Sequence, residues 1–326
     1  MLPGRTGDPR GRVALVTSAE LPELAPDDRL LVEPLAGVGV EARIAVWTSA
    51  REAWSEHDQI VVRSCWDYHD DLPRWLAWLD RLEREGLGAR LVNDVPTLRW
   101  NARKDYLADL EARGVPIVPT RWLPADRLGS WSAIEDALRG SPWDELVCKP
   151  AVSAGAFATF RLRRSELPRA EARLRAVLAE LVRRAPLLIQ PFVPEIASRG
   201  EWSLMFFEGR FSHAVLKLPA DGDFRVQQEH GGTSVAATPP AVLLELGGRV
   251  LEAAEAAVYE GPGASRPHRS SAPRPGETFL YARVDLVEAA SGPMLIELEL
   301  IEPALFLAAH PPAGLALAEA IRRRFA

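Results

Sequence analysis

Apolar runs alternate with a helical pattern over the N-terminal part of the chain. Four runs are made mostly of Val, Ile, Leu and Ala, which is typical of strands buried in a parallel sheet. Residues 73–82 carry apolar side chains at helical spacing, with tryptophans at positions 75 and 78. This alternation predicts a parallel α/β domain over residues 12–98. The runs expected to form its strands are Arg12–Thr17, Ala42–Trp47, Gln59–Arg63 and Leu91–Asn93.

Candidate substrate contacts follow from this predicted sheet. Ligands of parallel sheets bind beyond the carboxyl ends of the strands, so the loops that follow Thr17 and Arg63 are the segments to consider. Trp66, in the second loop, is expected to pack in the interior or to line a pocket. The residues predicted as substrate contacts are Glu20, Arg63, Ser64, Asp67 and Tyr68.

Two strand-like segments near the C-terminal end carry acidic residues at alternate positions. In the segment 294–302, Glu297 and Glu299 share one face of the predicted strand, because alternate side chains of a strand point the same way. In the segment 281–287, Arg283 and Asp285 share a face in the same manner. Three carboxylates with an arginine resemble a site for Mg²⁺ and phosphate, since hard cations prefer oxygen ligands. A solvated face, or acids that protect a sheet edge, is the alternative.

A lysine stands against the local rule at the start of a predicted helix. Asn101 is a good N-cap, and Leu107 and Leu110 give the helix an apolar face. Lys104 would then lie in the first turn, where the helix dipole disfavours a cation. Lys104 is therefore a functional candidate, unless Asp105 pairs with it or its side chain reaches solvent.

Composition, charge and the lengths of the apolar runs limit the kinds of protein and partner to consider. The chain has 326 residues, a net charge of −6 and an apolar fraction of 47%, so we expect more than one domain and no nucleic-acid partner. The first residues lack the apolar core of a signal peptide, and no apolar run is long enough to span a bilayer. We therefore expect a cytoplasmic protein without membrane contact, in which Cys65 and Cys148 are buried free thiols.

Several short motifs follow one another in a recognisable order. They are Asn-Ala-Arg-Lys104, Val-Cys-Lys149-Pro, Gln190-Pro-Phe-Val193, Arg-Gly-Glu201, Leu-Lys217, Asp-Phe-Arg225, Arg-Val-Asp285 and Glu297-Leu-Glu299. The series resembles the ATP-grasp superfamily, in its glutathione synthetase and ribosomal-protein glutamate ligase branch. Together with Arg-Ser-Cys-Trp-Asp-Tyr-His (residues 63–69) and Glu-Leu-Glu-Leu-Ile-Glu-Pro (297–303), it is similar to the family that contains the D-cycloserine-forming ligase.

The resemblance implies a fold and a division into domains. The fold class is α/β, with an N-terminal domain over residues 12–98 and two α+β subdomains, 99–188 and 189–326, that enclose ATP. Two segments are expected to be disordered: the tail over residues 1–11, and the loop over residues 261–277, which is rich in Pro, Gly and Ser.

The resemblance also implies a role for each matching residue. Lys104 and Lys149 would hold the nucleotide phosphates, and Glu201 would bind the ribose hydroxyls. Asp285, Glu297 and Glu299 would bind Mg²⁺ or Mn²⁺, and relatives often have Asn at the position of Glu299 and Arg at that of Ser203. The phosphate-closing loop is Ser153, Ala154 and Gly155, the adenine hinge is Gln190, Pro191, Phe192 and Val193, and the catalytic cations are Lys217, Arg225 and Arg283.

The activity implied is that of an ATP- and Mg²⁺-dependent carboxylate–amine ligase that forms an acyl phosphate. Its substrate would be a small amino-acid-like molecule, closed to a ring if carboxylate and amine belong to one molecule, as in antibiotic biosynthesis of the D-cycloserine type. Relatives are often dimers or tetramers, so a homo-oligomer is also considered. Two alternatives stay open: a nucleotide-binding regulator without turnover, and a kinase-type phosphotransferase.

Overall fold

The computed structural model describes residues 11–124, 126, 131–155, 158–167, 186–220, 225–226, 231–260 and 278–325. The predicted disordered loop over 261–277 lies outside these ranges, and so does the predicted tail apart from Gly11. Within the described ranges, no helix has the length and apolar character needed to cross a membrane. Cys65 and Cys148 are buried free thiols, as predicted.

The N-terminal sheet is parallel throughout, which confirms the expected α/β arrangement of this region. Its strands lie in the order β2–β1–β3–β4, so the first strand of the chain is central. The helix that follows β3 buries the tryptophans of the 73–82 pattern, and Asp71 caps it by accepting a hydrogen bond from the Arg74 amide (3.1 Å). The elements are β1 (Arg12–Thr17), α1 (Pro26–Arg29), α2 (Val32–Gly37), β2 (Glu41–Val46), β3 (Gln59–Ser64), α3 (Leu72–Arg84) and β4 (Leu91–Val92).

Two short helices, α4 (Val95–Asn101) and α5 (Tyr106–Ala112), lead out of this sheet. Asn101 is the last residue of α4, so its prediction as an N-cap was wrong. Its side-chain amide instead donates to the Leu298 carbonyl (2.9 Å) and accepts from the Leu300 amide (2.8 Å). Lys104 accordingly lies in the turn between the two helices and not in a first helical turn.

The central sheet is antiparallel, with strand order β5–β8–β6–β7 and helix α6 against it. The predicted domain boundary at 188/189 falls inside β8, which pairs with both β5 and β6, so this sheet extends through Pro191. Likewise, the boundary at 98/99 falls inside α4. The elements are β5 (Arg121–Leu123), α6 (Trp131–Arg139), β6 (Glu145–Pro150), β7 (Phe160–Arg163) and β8 (Leu187–Pro191).

The C-terminal sheet is antiparallel in the order β11–β10–β9–β12–β13. Glu208 and Gly209 connect β9 and β10 as a hairpin. Helix α8 packs its apolar residues on one face of the sheet, and α9 packs on the other face together with β1 and α2. The elements are α7 (Pro194–Arg199), β9 (Glu201–Phe207), β10 (Arg210–Leu218), β11 (Thr233–Ala236), α8 (Ala241–Tyr259), β12 (Tyr281–Ala289), β13 (Gly292–Glu299) and α9 (Pro312–Arg323).

Side chain to backbone hydrogen bonds tie the N-terminal sheet to the C-terminal sheet. The Asn93 amide donates to the carbonyls of Tyr281 (3.0 Å) and Leu300 (2.8 Å). The Tyr281 hydroxyl contacts the carbonyls of Val62 (2.6 Å) and Ile301 (2.8 Å). All of these groups are buried, where an unpaired polar group would be costly, so the bonds hold the two sheets in a defined relation.

Candidate active site

A cleft of about 910 Å³ is lined by residues of the central and C-terminal sheets and by the segments that follow β1 and β3. Every residue that the sequence assigned to nucleotide, metal or catalysis lines it, although these residues are spread from position 104 to position 299. They are Lys104, Lys149, Ser153, Ala154, Gly155, Gln190, Pro191, Phe192, Val193, Glu201, Lys217, Arg225, Arg283, Asp285, Glu297 and Glu299.

The register of β12 and β13 brings the predicted acidic residues together. Arg283 lies opposite Glu299 and Asp285 lies opposite Glu297, while Ser203 on β9 lies opposite Asp285 from the other side. Leu298 and Val284, on the opposite face, are fully buried in the apolar core beneath. The predicted alternation is thus confirmed, and the acidic face is turned toward the cleft.

Asp285 is the most tightly held carboxylate of the site. It accepts hydrogen bonds from Arg283 (Nη2 to Oδ2, 2.9 Å), from Lys217 (Nζ to Oδ2, 3.4 Å) and from the Ser203 hydroxyl (2.5 Å). Burial on its own would raise the pKa of Asp285, but the charges of Arg283 and Lys217 outweigh it and lower the pKa to about 2. Ser203 therefore supports the acid through a neutral hydrogen bond.

Lys104 pairs with Glu297 (2.9 Å) and also donates to the carbonyl (2.8 Å) and the hydroxyl (3.2 Å) of Ser153. Asp105 does not pair with Lys104, because it accepts from Arg103 (2.8 Å) instead. The side chain does not reach solvent either, since Lys104 is 6% exposed, and its functional role stays a prediction. Lys104 joins the start of the predicted phosphate-closing loop to the acidic strand.

Lys149 ends β6 and is buried beside the same acid. Burial lowers the pKa of its ammonium group, and repulsion from Lys104 adds to this, while Glu297 acts in the opposite direction. Lys104 and Lys149 carry two positive charges, and the single negative charge of Glu297 does not balance both. Such a cluster suits a polyanionic ligand such as a phosphate chain.

Glu201 and Lys217 form a buried ion pair at the start of β9. Burial opposes the charge of the Lys217 ammonium, but the attraction of Asp285 and Glu201 outweighs this and raises its pKa. Burial likewise raises the pKa of Glu201, although Lys217 counteracts the effect. Glu201 therefore faces the cleft with a partner on only one side.

Gly200 positions this pair, and its replacement provides a test. Its φ of +87° is a conformation that favours glycine, and an added Cβ would lie 2.6 Å from the Lys217 carbonyl oxygen. We expect Gly200→Ala to destabilise the fold by about 1–3 kcal/mol and to weaken ATP binding. Urea unfolding and ATP titration measure the two effects.

The matched control is Gly37→Ala, where an added Cβ meets nothing within 4 Å. We expect it to change the free energy of unfolding by less than about 1 kcal/mol. If Gly200→Ala matched Gly37→Ala in both stability and ATP affinity, the positioning role of Gly200 would be wrong.

In the part of the chain that the structure describes, Arg283 is the ion-pair partner of Glu299. Burial raises the pKa of Glu299 to about 7, with repulsion from Glu297 and Asp285 adding to the effect and Arg283 opposing it. In the described part of the chain, no group of three or more acidic, histidine or cysteine side chains is arranged as a ready metal site. The donor set nonetheless fits a hard cation, because it consists of oxygen atoms and its acids repel one another.

The predicted adenine hinge has side chains that are already engaged. The Gln190 side chain donates to the Thr120 hydroxyl (2.8 Å), and the Phe192 ring carries the Arg161 guanidinium 3.5 Å above its centroid. The Phe192 amide is also used, since it donates to the Glu145 carbonyl (2.9 Å). Contact of this segment with a base would therefore fall to other backbone groups, and the adenine hinge stays a prediction.

Most of the predicted substrate contacts do not face the cleft. Arg63 is fully buried and pairs with Asp28 (2.7 Å), and Ser64 donates to the same carboxylate (2.7 Å). Asp67 accepts from the Trp47 indole (2.8 Å). Because these groups are used internally, direct substrate contact is wrong for Arg63 and Ser64, and neither Asp67 nor Glu20 lines the cleft. Tyr68 does line it, and so does Trp66.

Sequence reasoning missed Glu302, which also lines the cleft and is 93% buried, with 7% of its surface exposed. It follows β13 by three residues, so the strand alternation that identified Glu297 and Glu299 no longer applied. A signal was present nonetheless, since a third glutamate interrupts an otherwise apolar segment from Leu300 to Pro303.

Comparison with known proteins gives a consistent result. The model of the N-terminal domain of D-cycloserine synthetase DcsG matches residues 13–93. The cycloserine biosynthesis protein DcsG of Streptomyces lavendulae is 32% identical over 96% of this chain and 99% of its own length. A crystal structure of D-cycloserine synthetase DcsG superposes with a TM-score of 0.79 at 30% identity, covering 97% of this chain and 100% of that one.

More distant structures share the fold. D-alanine–D-alanine ligase from Bacillus anthracis, complexed with ATP, has a TM-score of 0.63 at 14% identity and 97% coverage of both chains. A RimK domain ATP-grasp protein from Sphaerobacter thermophilus has a TM-score of 0.61 at 17% identity, covering 96% of this chain and 98% of that one. The similarity therefore extends over all three sheets.

Proposed function

The chain belongs to the D-cycloserine synthetase (DcsG) family of ATP-grasp ligases, and on that premise we propose that it joins a carboxylate to an amine through an acyl phosphate. ATP would be converted to ADP and phosphate in the process. The family membership supports an ATP-dependent ligase. The acyl-phosphate intermediate and the identity of the substrate are what we propose.

One observation supports this proposal above the others. Cations and carboxylates that lie far apart in the sequence alternate along one cleft wall, from Lys104 with Glu297 to Lys217 with Asp285 and Arg283. A site that must neutralise a transferring phosphoryl group needs fixed cations beside oxygen ligands for a metal ion. A plain structural ion-pair network would not require this wall to open into a cleft.

The reaction would proceed in two steps. In the first, a substrate carboxylate oxygen attacks the γ-phosphorus of ATP, the bond to the bridging oxygen breaks, and ADP leaves with the electron pair. In the second, the amine nitrogen attacks the acyl carbon and phosphate leaves. The protein contributes positioning and charge neutralisation, because Lys104 and Lys149 hold phosphates while Lys217, Arg225 and Arg283 face the transferring group.

Asp285, Glu297 and Glu299 are the residues that would hold Mg²⁺. The ion, when bound, supplies positive charge to the phosphate oxygens. The three acids repel one another, and among the described residues Glu299 pairs with Arg283, so the trio would accommodate a further cation.

We propose a small amino-acid-like substrate. O-ureido-D-serine is the first compound to test, because the chain resembles the ligases that close this compound to D-cycloserine. A substrate that carries both carboxylate and amine would close to a ring. The expectations of a homo-oligomer and of no nucleic-acid partner stay predictions.

The test is ADP release with Mg-ATP across a panel of amino acids that includes O-ureido-D-serine, with and without hydroxylamine. We expect release that depends on the amino acid, and a hydroxamate when hydroxylamine is present, because hydroxylamine traps acyl phosphates. ADP release with a stable phosphate ester and no hydroxamate would indicate a kinase. ATP binding without ADP release for any acid would favour the regulator.

A further inference from the structure

Two largely buried residues, Tyr68 and Glu302, line the cleft, and their polar ends form no hydrogen bond or ion pair within the described part of the chain. Glu302 is 7% exposed and Tyr68 is 6% exposed. Buried polar groups are normally paired, so an acceptor and a donor left open at one wall indicate a ligand that completes them.

The surroundings hold both residues from behind. The Trp66 indole donates to the Glu302 carbonyl (3.1 Å), and the Arg63 guanidinium donates to the Pro303 carbonyl (2.5 Å). The Tyr68 ring packs against Trp75 with centroids 5.5 Å apart. The Glu302 backbone and the Tyr68 ring are therefore held by these contacts, which leaves the polar ends for a ligand.

Charge assigns the polar groups of the cleft to different parts of the substrate. Lys217, Arg225 and Arg283 can receive the anionic groups, namely the phosphates and the activated carboxylate. Glu302 cannot serve this purpose, because a second anion beside a buried carboxyl would be repelled. A carboxyl and a hydroxyl suit a nitrogen that donates hydrogen bonds and carries a lone pair.

We propose that Glu302 and Tyr68 form the subsite for the nitrogen nucleophile, and that Glu302 accepts the proton which this nitrogen loses. The inference rests on the proposed ligase function and names its acceptor site. As the nitrogen attacks the acyl carbon, the C–N bond forms and the bond from carbon to the phosphate oxygen breaks. The electron pair leaves with phosphate, and one N–H proton passes to a carboxylate oxygen of Glu302.

The electrostatics of Glu302 agree with this role. Burial raises the pKa of Glu302 well above its usual range, and repulsion from Glu299 adds to the shift. A carboxylate with a raised pKa is a stronger base than an exposed one, which suits a group that must take a proton from nitrogen.

The test separates the two half-reactions in Glu302→Gln. Hydroxylamine, added in excess, captures the acyl phosphate without needing the nucleophile subsite. With O-ureido-D-serine and Mg-ATP, we expect the variant to keep hydroxamate formation within about threefold of wild type. We expect formation of the C–N product without hydroxylamine to fall by about 100-fold or more, which is the usual effect of removing a general base.

Three further variants support the comparison. Glu302→Asp keeps a carboxylate and should restore part of the product formation, while Tyr68→Phe should raise KM for the amino-acid substrate in the ligation. Glu252→Gln, on the exposed side of α8, is the control and should behave as wild type. Thermal unfolding of each variant verifies that it is folded.

Each outcome bears on a different claim. Equal losses of hydroxamate and of C–N product in Glu302→Gln would place Glu302 in the nucleotide site and overturn the subsite. Unchanged product formation in that variant would overturn it as well. If wild type released no ADP with any substrate, the proposed ligase function itself would fail, which is distinguishable from a loss confined to the variant.

Discussion

Glu297→Gln should lower substrate-dependent ADP release by about 100- to 1000-fold while leaving the fold intact. The Glu297 carboxylate pairs with the Lys104 ammonium group (Nζ to Oε1, 2.9 Å), and Glu297 lies opposite Asp285 in the β12–β13 pair. The attraction of Lys104 and Lys149 outweighs burial and lowers the pKa of Glu297, so the acid is charged when the site works. Glutamine keeps the shape but removes that charge from both the lysines and the metal ion.

The measurement is ADP release at saturating Mg-ATP, with circular dichroism and thermal unfolding as a check of the fold. Glu288→Gln provides the matched control, because Glu288 lies on β12 outside the cleft. A folded Glu297→Gln protein that retained the rate of Glu288→Gln would refute the assignment of Glu297 to the metal and phosphate site.

Arg63→Leu should lower the free energy of unfolding by about 3–5 kcal/mol. Arg63 is fully buried, its guanidinium donates to Asp28 and to the Pro303 carbonyl, and it lies 4.7 Å from the centroid of the Tyr281 ring. Leucine would leave Asp28 as a buried carboxylate with only the Ser64 hydroxyl. The large effect comes from this uncompensated charge.

Chemical denaturation of the wild type and four variants tests the explanation: Arg63→Leu, Asp28→Leu, the double variant and the control Arg99→Leu. Arg99→Leu removes a surface pair with Glu83 (3.1 Å) and with Asp80, and should change stability by less than about 1 kcal/mol. The double variant Arg63→Leu with Asp28→Leu should lose less than the sum of the single changes, because no charge remains buried. Simple additivity in this cycle would contradict the buried-pair account.

The fold was accessible from the sequence wherever one rule decided the local structure. Arg12–Thr17 is a strand with the predicted bounds, since an apolar run flanked by turn residues leaves few alternatives. The acidic face of β13 followed from alternation alone. Family resemblance then supplied the order of the remaining cleft residues, which no local pattern could have brought together.

Other features depended on distant partners and could not be predicted locally. Asn101 has the chemistry of a helix cap, but the backbone of Leu298 and Leu300 competes for the same amide and acts from nearly two hundred residues away. Arg63 lies near the carboxyl end of β3, which is the position of a ligand contact, yet its guanidinium pairs with Asp28. In both cases, tertiary pairing overrode a signal that was correct in type and wrong in partner.

The wall formed by Trp66 and Glu302 has a consequence for recombination between relatives. The two residues are 236 positions apart, yet the Trp66 indole donates a hydrogen bond to the Glu302 carbonyl. A chimera that exchanges only the N-terminal domain would combine the segment around Trp66 from one relative with the segment around Glu302 from another. Substrate preference is therefore inherited by two segments jointly, and grafting it requires residues 63–69 and 300–309 to be transferred as a unit.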